Sequence, residues 1–208
     1  MANKFLFAKR EAESLIFGVD EAGRGPLAGP VVAAAVWLGA EAPAGLDDSK
    51  KLSGRRRAVL EEQIKASCQW GLGVVEADEI DRINIFQATM LAMTRAVSAL
   101  CEALVMEPDE VLIDGNQSPQ RHCRDWRWSA RAIVGGDALE PCISAASILA
   151  KEHRDRLMRA LAAEHPHYGW ERNMGYGTRE HLEALRRIGP APCHRRSFAP
   201  VAQLEFFA

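Results

Sequence analysis

The chain has 208 residues, 48% hydrophobic and 26% charged, with a formal net charge of −2. That length suits one domain with a sizeable core, and the near-neutral balance excludes an indiscriminate polyanion binder. The charge is unevenly placed: residues 1–150 hold 16 Lys+Arg against 21 Asp+Glu, residues 151–208 hold 10 against 7 and five of the six histidines. Five widely spaced cysteines without a CxxC pair exclude a disulfide frame or zinc site and read as the reduced thiols of a cytoplasmic protein. Met1 to Phe7 is too short an apolar segment for a signal peptide, and the longest apolar run, Val31 to Leu38, is far below the ~20 residues of a membrane span.

In chain order, residues 15–21 and 30–38 are strand candidates joined by a Gly/Pro-rich turn, most simply an antiparallel pair. Ser53 caps a helix expected over 54–67, and Trp70–Glu76 is a strand whose glycines suit a sheet edge. Ala77–Asn84 reads as a short acidic helix or turn. Ile85–Leu104 carries Phe86, Met90, Met93, Val97, Leu100 and Leu104 at helical spacing, the mark of a core-packed helix. Glu110–Asp114 is a strand; Trp126 and Trp128 sit in an Arg-rich loop; Ala132–Val134 is a strand running into Gly135-Gly136-Asp137. Pro141 opens a helix to about Glu164 whose small residues Ser144-Ala145-Ala146-Ser147 suit close packing on the sheet. Thr178 caps a last helix to Arg187, and a Pro-punctuated basic tail follows. Strands interleaved with helices make the chain α/β, with a helical addition at its end.

The organising stretch is Leu15 to Pro30. An apolar strand ends in Asp20 and Glu21, and glycines and prolines around Arg24 follow. A buried carboxylate must be paired, protonated or metal-bound, and period-two alternation sends Asp20 and Glu21 to opposite faces. For both to serve one site, the strand must twist or bulge, or one carboxylate must reach from its end. Asp114 and Asp137 stand at two further strand ends. Carboxylates without Cys or His are hard oxygen ligands suited to Mg²⁺ or Mn²⁺, and two such ions ~3.5–4 Å apart suit phosphodiester hydrolysis. The glycines let backbone N–H groups approach a phosphate.

Gly18-Val19-Asp20-Glu21-Ala22-Gly23-Arg24-Gly25-Pro26-Leu27-Ala28-Gly29-Pro30-Val31-Val32 resembles the opening signature of ribonuclease HII, the type 2 ribonuclease H family. The similarity continues through Asp48-Ser49-Lys50-Lys51-Leu52, Ile83-Asn84, Ile113-Asp114-Gly115, Gly136-Asp137, Ala145 to Lys151, Arg154-Asp155, Gly175-Tyr176-Gly177-Thr178 with His181, and His194-Arg195-Arg196-Ser197-Phe198. The resemblance implies a ribonuclease H-like mixed β-sheet flanked by helices, with a catalytic core over residues 1–150 and a substrate-holding helical segment and tail over 151–208.

It also implies divalent-metal-dependent hydrolysis of the RNA strand of RNA/DNA hybrids. Incision 5′ to single ribonucleotides in duplex DNA, leaving 3′-hydroxyl and 5′-phosphate ends, is part of the same expectation. By position, Asp20, Glu21, Asp114 and Asp137 are the metal-binding catalytic quartet. Gly23-Arg24-Gly25 reads the 2′-hydroxyl, the group that separates RNA from DNA, and Tyr176 stacks on the following sugar, with Tyr168 its rival. Ser49, Lys50 and Lys51 are phosphate contacts or a solvated polar loop. Arg154 and Asp155 suit a structural role, whereas His181, His194, Arg195 and Arg196 are positioned for backbone contact. The tail Gln203-Leu204-Glu205-Phe206-Phe207 resembles sliding-clamp docking peptides; the alternative is that its phenylalanines fold back onto the core. The chain is read as a monomer. Rival functions are another ribonuclease H-fold nuclease, such as a resolvase or integrase core, and an inactive hybrid-binding module.

Overall fold

The computed structural model describes residues 14–40, 42–47 and 49–205. One sheet is built from β1 (Ile16–Ala22), β2 (Val31–Trp37), β3 (Gln69–Val75), β4 (Glu110–Asp114) and β5 (Ala130–Ile133), in the order β3-β2-β1-β4-β5. β1–β2 and β2–β3 are antiparallel, β1–β4 and β4–β5 parallel. The sheet is therefore mixed, with β3 at an edge as its glycines suggested. β5 begins two residues earlier than the sequence indicates, because Ala130–Ile133 is the stretch that pairs with Val111–Asp114.

Each face of the sheet carries one long helix. On one, Phe17, Val19, Val31, Ala33, Ala35 and Ile113 pack against Ala88, Met93, Ala96, Val97 and Leu100 of α2 (Ala77–Leu104). On the other, Ala34 and Val36 meet Ala145, Ala146, Ile148 and Leu149 of α4 (Pro141–Glu164), together with Leu60 and Ile64 of α1 (Gly54–Ser67). The strand glycines are contact points: a Cβ on Gly73 would sit 2.0 Å from the Ala92 carbonyl oxygen, and one on Gly18 2.2 Å from the Cys142 carbonyl carbon. Small side chains in the first turns of α4 meet the same demand.

α2 contains the discontinuity expected after Asn84. That residue has φ 66° and ψ 161°, backbone that favours glycine, and its Oδ1 accepts a hydrogen bond from the Gln87 N–H at 3.1 Å, capping the second segment. Short α3 (Gly136–Leu139) follows β5, so Asp137 sits in a helical turn rather than on a strand.

α5 (Trp170–Asn173), α6 (Arg179–Ile188) and α7 (Ala199–Glu205) close the chain. They gather a second apolar cluster that includes Leu27, Ala28, Met158, Tyr168, Trp170, Leu185 and Val201. The stretch read as a basic tail is thus partly a docked helix. α4 runs unbroken past residue 150 and contributes to both clusters. No helix among the described residues is long and apolar enough to cross a membrane.

Candidate active site

The strand alternation holds to the end of β1. Asp20 points to the α4 face and Glu21 to the α2 face, and no bulge brings them together. Because β1 and β4 are parallel neighbours, their C-terminal ends lie side by side, which sets Asp114 next to Asp20. Oxygens of Asp20, Asp114 and Asp137 lie within 4.8 Å of one another. Glu21 approaches Asp114 from the other face, where both line a 110 Å³ cavity floored by Phe86, Met90 and Met93 and rimmed by Arg24, Asn116 and Gln117. The quartet is therefore a trio of aspartates with one glutamate across the strand end.

Hydrogen bonds fix the trio. The Asp137 N–H donates to Asp114 Oδ1 at 3.2 Å, and the Glu21 N–H to Asp20 Oδ1 at 2.7 Å. Ser144 of α4 donates to the Asp137 carbonyl at 2.6 Å. Ser147, one turn on, shares a 2.8 Å contact with the Ser49 hydroxyl and lies near enough to the Asp20 carboxylate to oppose part of the rise in its pKa. Ser49 is 3% exposed. The serine read as a phosphate contact therefore meets the scaffold of Asp20, because the loop carrying it folds under α4. Sequence spacing did not single out Ser144 or Ser147 as partners of the carboxylates; their signals were the run of small residues and, for Ser147, the family-like stretch Ala145 to Lys151.

The counter-charges nearby are weak. Lys50 Nζ lies 3.6 Å from Asp137 and Arg24 Nη1 3.4 Å from Glu21, both on largely exposed side chains, where such pairs contribute ~0–1 kcal/mol. Lys51 pairs with Asp47 at 3.3 Å; Asp48 lies outside the described residues. Asp20 is held well above the ordinary carboxylate range, first by burial and then by the charges of Glu21 and Asp114. Glu21 is raised too, burial outweighing the opposing pull of Arg24. An all-oxygen donor set with excess negative charge fits a hard divalent cation.

Beside the carboxylates, the Gly23–Pro30 loop is held from beneath by two buried arginines. Arg154 of α4 donates to the carbonyls of Pro30, Met174 and Ala28 at 3.0–3.1 Å. Arg195 donates to those of Gly29, Arg24 and Gly23 at 2.6–3.0 Å. A Cβ on Gly23 (φ 98°) would lie 2.0 Å from Arg154 Nε, so the close approach that requires this glycine is to Arg154. Across a trans peptide the carbonyl and the next N–H point opposite ways. Turning the Gly23 and Arg24 carbonyls inward therefore turns the Arg24 and Gly25 N–H groups outward, on residues that are exposed.

The aromatic flank is Tyr176, 50% exposed, whose Cε1 would lie 3.5 Å from a Cβ on Gly25. Tyr168 is buried, stacks on Trp170 at 4.8 Å and donates its hydroxyl to the Gly189 carbonyl at 2.7 Å, so it is core. His181, His194 and Arg195 are 0–1% exposed, which corrects their reading as nucleic-acid contacts: the C-terminal segment folds inward, the two histidines bonding each other and nearby main chain and Arg195 the carbonyls of the Gly23–Pro30 loop. Arg196 is exposed, and its N–H donates to Asp81 at 2.8 Å. Asp155 accepts from Lys151 at 2.6 Å.

The Ribonuclease HII family model matches residues 17–201. The chain belongs to the ribonuclease HII family. Ribonuclease HII of Novosphingobium aromaticivorans is 73% identical over 190 residues, covering 90% of this chain and 97% of that one. Ribonuclease HII from Archaeoglobus fulgidus, solved in complex with PCNA, superposes with a TM-score of 0.71 at 26% identity, covering 91% and 96%. Bst-RNase HIII, solved in complex with Mn²⁺, superposes at 0.74 with 21% identity, covering 95% of this chain and 71% of that one, a likeness of fold. As a ribonuclease HII the protein is an endoribonuclease with ribonuclease H activity, and the aspartate cluster points to divalent-metal use.

The crowded carboxylates give a stability test. A carboxyl whose folded pKa is raised favours the fold below its unfolded value, near 4, and that contribution is lost as pH rises through the folded value. The metal-free protein is therefore expected to lose stability over that window, and Mg²⁺ or Mn²⁺ to restore it. At neutral pH, cation at ~100 times its Kd contributes about 2.7 kcal/mol, or roughly 5–10 °C in melting temperature. Asp137→Asn is expected to raise the metal-free melting temperature and abolish the cation-induced gain. A calorimetric scan checks both; an equal gain in the variant contradicts this assignment.

Proposed function

We propose that the protein hydrolyses the RNA strand of RNA/DNA hybrids and incises duplex DNA 5′ to a single embedded ribonucleotide, leaving 3′-hydroxyl and 5′-phosphate ends. The observation that carries the reading is the convergence of Asp20, Asp114 and Asp137 within 4.8 Å, with Glu21 behind them and an exposed amide-lined loop beside them. These four carboxylates would hold two divalent ions, Mn²⁺ or Mg²⁺. Bound there, such ions supply an activated water and neutralise charge on the leaving oxygen.

The chain's own residues supply the rest. Ser144 fixes the main chain of Asp137, and the Glu21 N–H fixes the carboxylate of Asp20. The outward Arg24 and Gly25 amides hydrogen-bond the 2′-hydroxyl, and Tyr176 packs against the next sugar. Lys50 and Lys51 meet phosphates at the rim. Two ions held there would make a side-chain base unnecessary, and among the described residues the cluster itself is aspartate alone. One chain supplies all four carboxylates, which suits a monomer. Residues 151–208 act as the substrate-holding part, since Arg154, Arg195 and Tyr176 shape the loop side of the cleft.

Duplexes carrying one or four ribonucleotides, with the cut mapped, test this. The single ribonucleotide is expected to be cut on its 5′ side. Asp137→Asn is expected to lower cleavage on the order of 10³-fold, about 4 kcal/mol, with binding largely kept. Equally poor cutting by wild type and variant defeats the reading.

A second reading concerns a partner. The Archaeoglobus relative was solved with PCNA, and Gln203, Leu204 and Glu205 end α7, with Phe206 and Phe207 outside the described residues. We propose that Gln203-Leu204-Glu205-Phe206-Phe207 docks in an apolar groove of a sliding clamp. The full chain is expected to retain clamp in a pull-down that a 1–200 truncation fails; equal retention rejects the docking.

A further inference from the structure

The two buried histidines have no place in the chemistry above, yet every one of their ring nitrogens is engaged. Ala191 N–H donates to His194 Nδ1 at 2.9 Å, a shorter contact than the 3.3 Å from the same nitrogen to the Ala191 carbonyl; an N–H aimed at Nδ1 leaves no room for a proton there, which assigns the His194 proton to Nε2. His194 Nε2 lies 3.0 Å from His181 Nε2. His181 Nε2 also receives the Trp170 indole N–H at 3.1 Å, and indole only donates. His181 Nε2 is therefore an acceptor, and the His181 proton sits on Nδ1, 2.9 Å from the Tyr176 carbonyl. Burial lowers the pKa of both rings, that of His194 to about 4, which agrees with a neutral pair.

The hydrogen bonds run one way: Ala191 N–H to His194, His194 to His181, His181 to the Tyr176 carbonyl. The preceding carbonyl, of Gly175, accepts from Leu27 N–H at 2.8 Å, tying the same turn to the Gly23–Pro30 loop. Tyr176 is thus gripped by its main chain while its ring stands half-exposed beside Gly25.

We propose that His181 and His194 are positioning residues that act through Tyr176, a one-way chain of hydrogen bonds setting where its ring meets the substrate sugar. This rests on the reading of Tyr176 as the residue facing the sugar after the ribonucleotide. Two variants of His181 separate positioning from packing. His181→Asn keeps a donor at the place of Nδ1; His181→Gln keeps an acceptor at the place of Nε2 and loses the bond to Tyr176.

The readout is the ratio of kcat/KM on duplexes whose nucleotide after the ribonucleotide is deoxyribo or ribo. The ratio is expected to stay within about threefold of wild type in His181→Asn and to fall about tenfold in His181→Gln, the weight of one lost hydrogen bond. Equal ratios in the two variants, retained or lost, overturn the proposal. Tyr176→Ala is the control: a wild-type ratio there means the reading of Tyr176 itself fails. ¹⁵N spectra of the wild-type imidazoles test the chain without any variant; protonated Nδ1 on His194 or unprotonated Nδ1 on His181 at pH 7 overturns it.

Discussion

The loop that follows β1 owes its shape to two buried guanidinium groups that form no salt bridge among the described residues. Arg154 is 2% and Arg195 0% exposed. Burial brings their pKa values down to about 10 and about 9, still well above neutral, so both charges persist inside the protein. An uncompensated buried charge costs several kcal/mol. Here six main-chain carbonyls offset it, five of them between Gly23 and Pro30. The loop can relax only by stripping charges of their partners. Its carbonyls are therefore held inward and the amides opposite them outward, without any side chain on the outer surface doing the holding. Lysine could not substitute, since it lacks the planar fork that spans three carbonyls at once.

The carboxylates obey a different constraint, the geometry of the sheet. β1 is the strand where an antiparallel neighbour gives way to a parallel one, so Asp20 at its end meets Asp114 at the end of β4, while α3 folds Asp137 over the gap. Alternation keeps Glu21 on the opposite face, reaching Asp114 across the strand end. The arrangement concentrates negative charge where main-chain and serine hydrogen bonds have already fixed its orientation. Orientation of ligands by surrounding groups governs the affinity of metal sites, and on the proposed reading of these carboxylates Ser144 is such a group, through the Asp137 main chain.

Local chemistry made much of this readable. The apolar run into Asp20 and Glu21, the Ser53 and Thr178 caps, the break at Asn84 and the small residues opening α4 each reflect interactions within a few residues or with one packed face. The partners of Arg154 and Arg195 could not be read this way: they lie up to 172 residues away, and carbonyl oxygens carry no side-chain signature. For the same reason His181 in the last helix and His194 in the basic tail looked like contacts to the nucleic-acid backbone, and Ser49 like a phosphate contact. α7 was hidden because, among its described side chains, Val201 is the one buried apolar residue. Gly23 was recognised as a site of close approach, but what approaches it is Arg154.

On the proposed function, the buried arginine fork confers recognition of the 2′-hydroxyl through the loop's main chain. The direct measurement is binding of Asp137→Asn and of the double variant Asp137→Asn/Arg195→Lys to two duplexes that differ by a single 2′-hydroxyl. Lysine keeps the charge and loses the fork, so the double variant is expected to remain folded and bind both duplexes with nearly equal affinity, while the single variant prefers the ribonucleotide. An undiminished preference in a folded double variant would contradict the account.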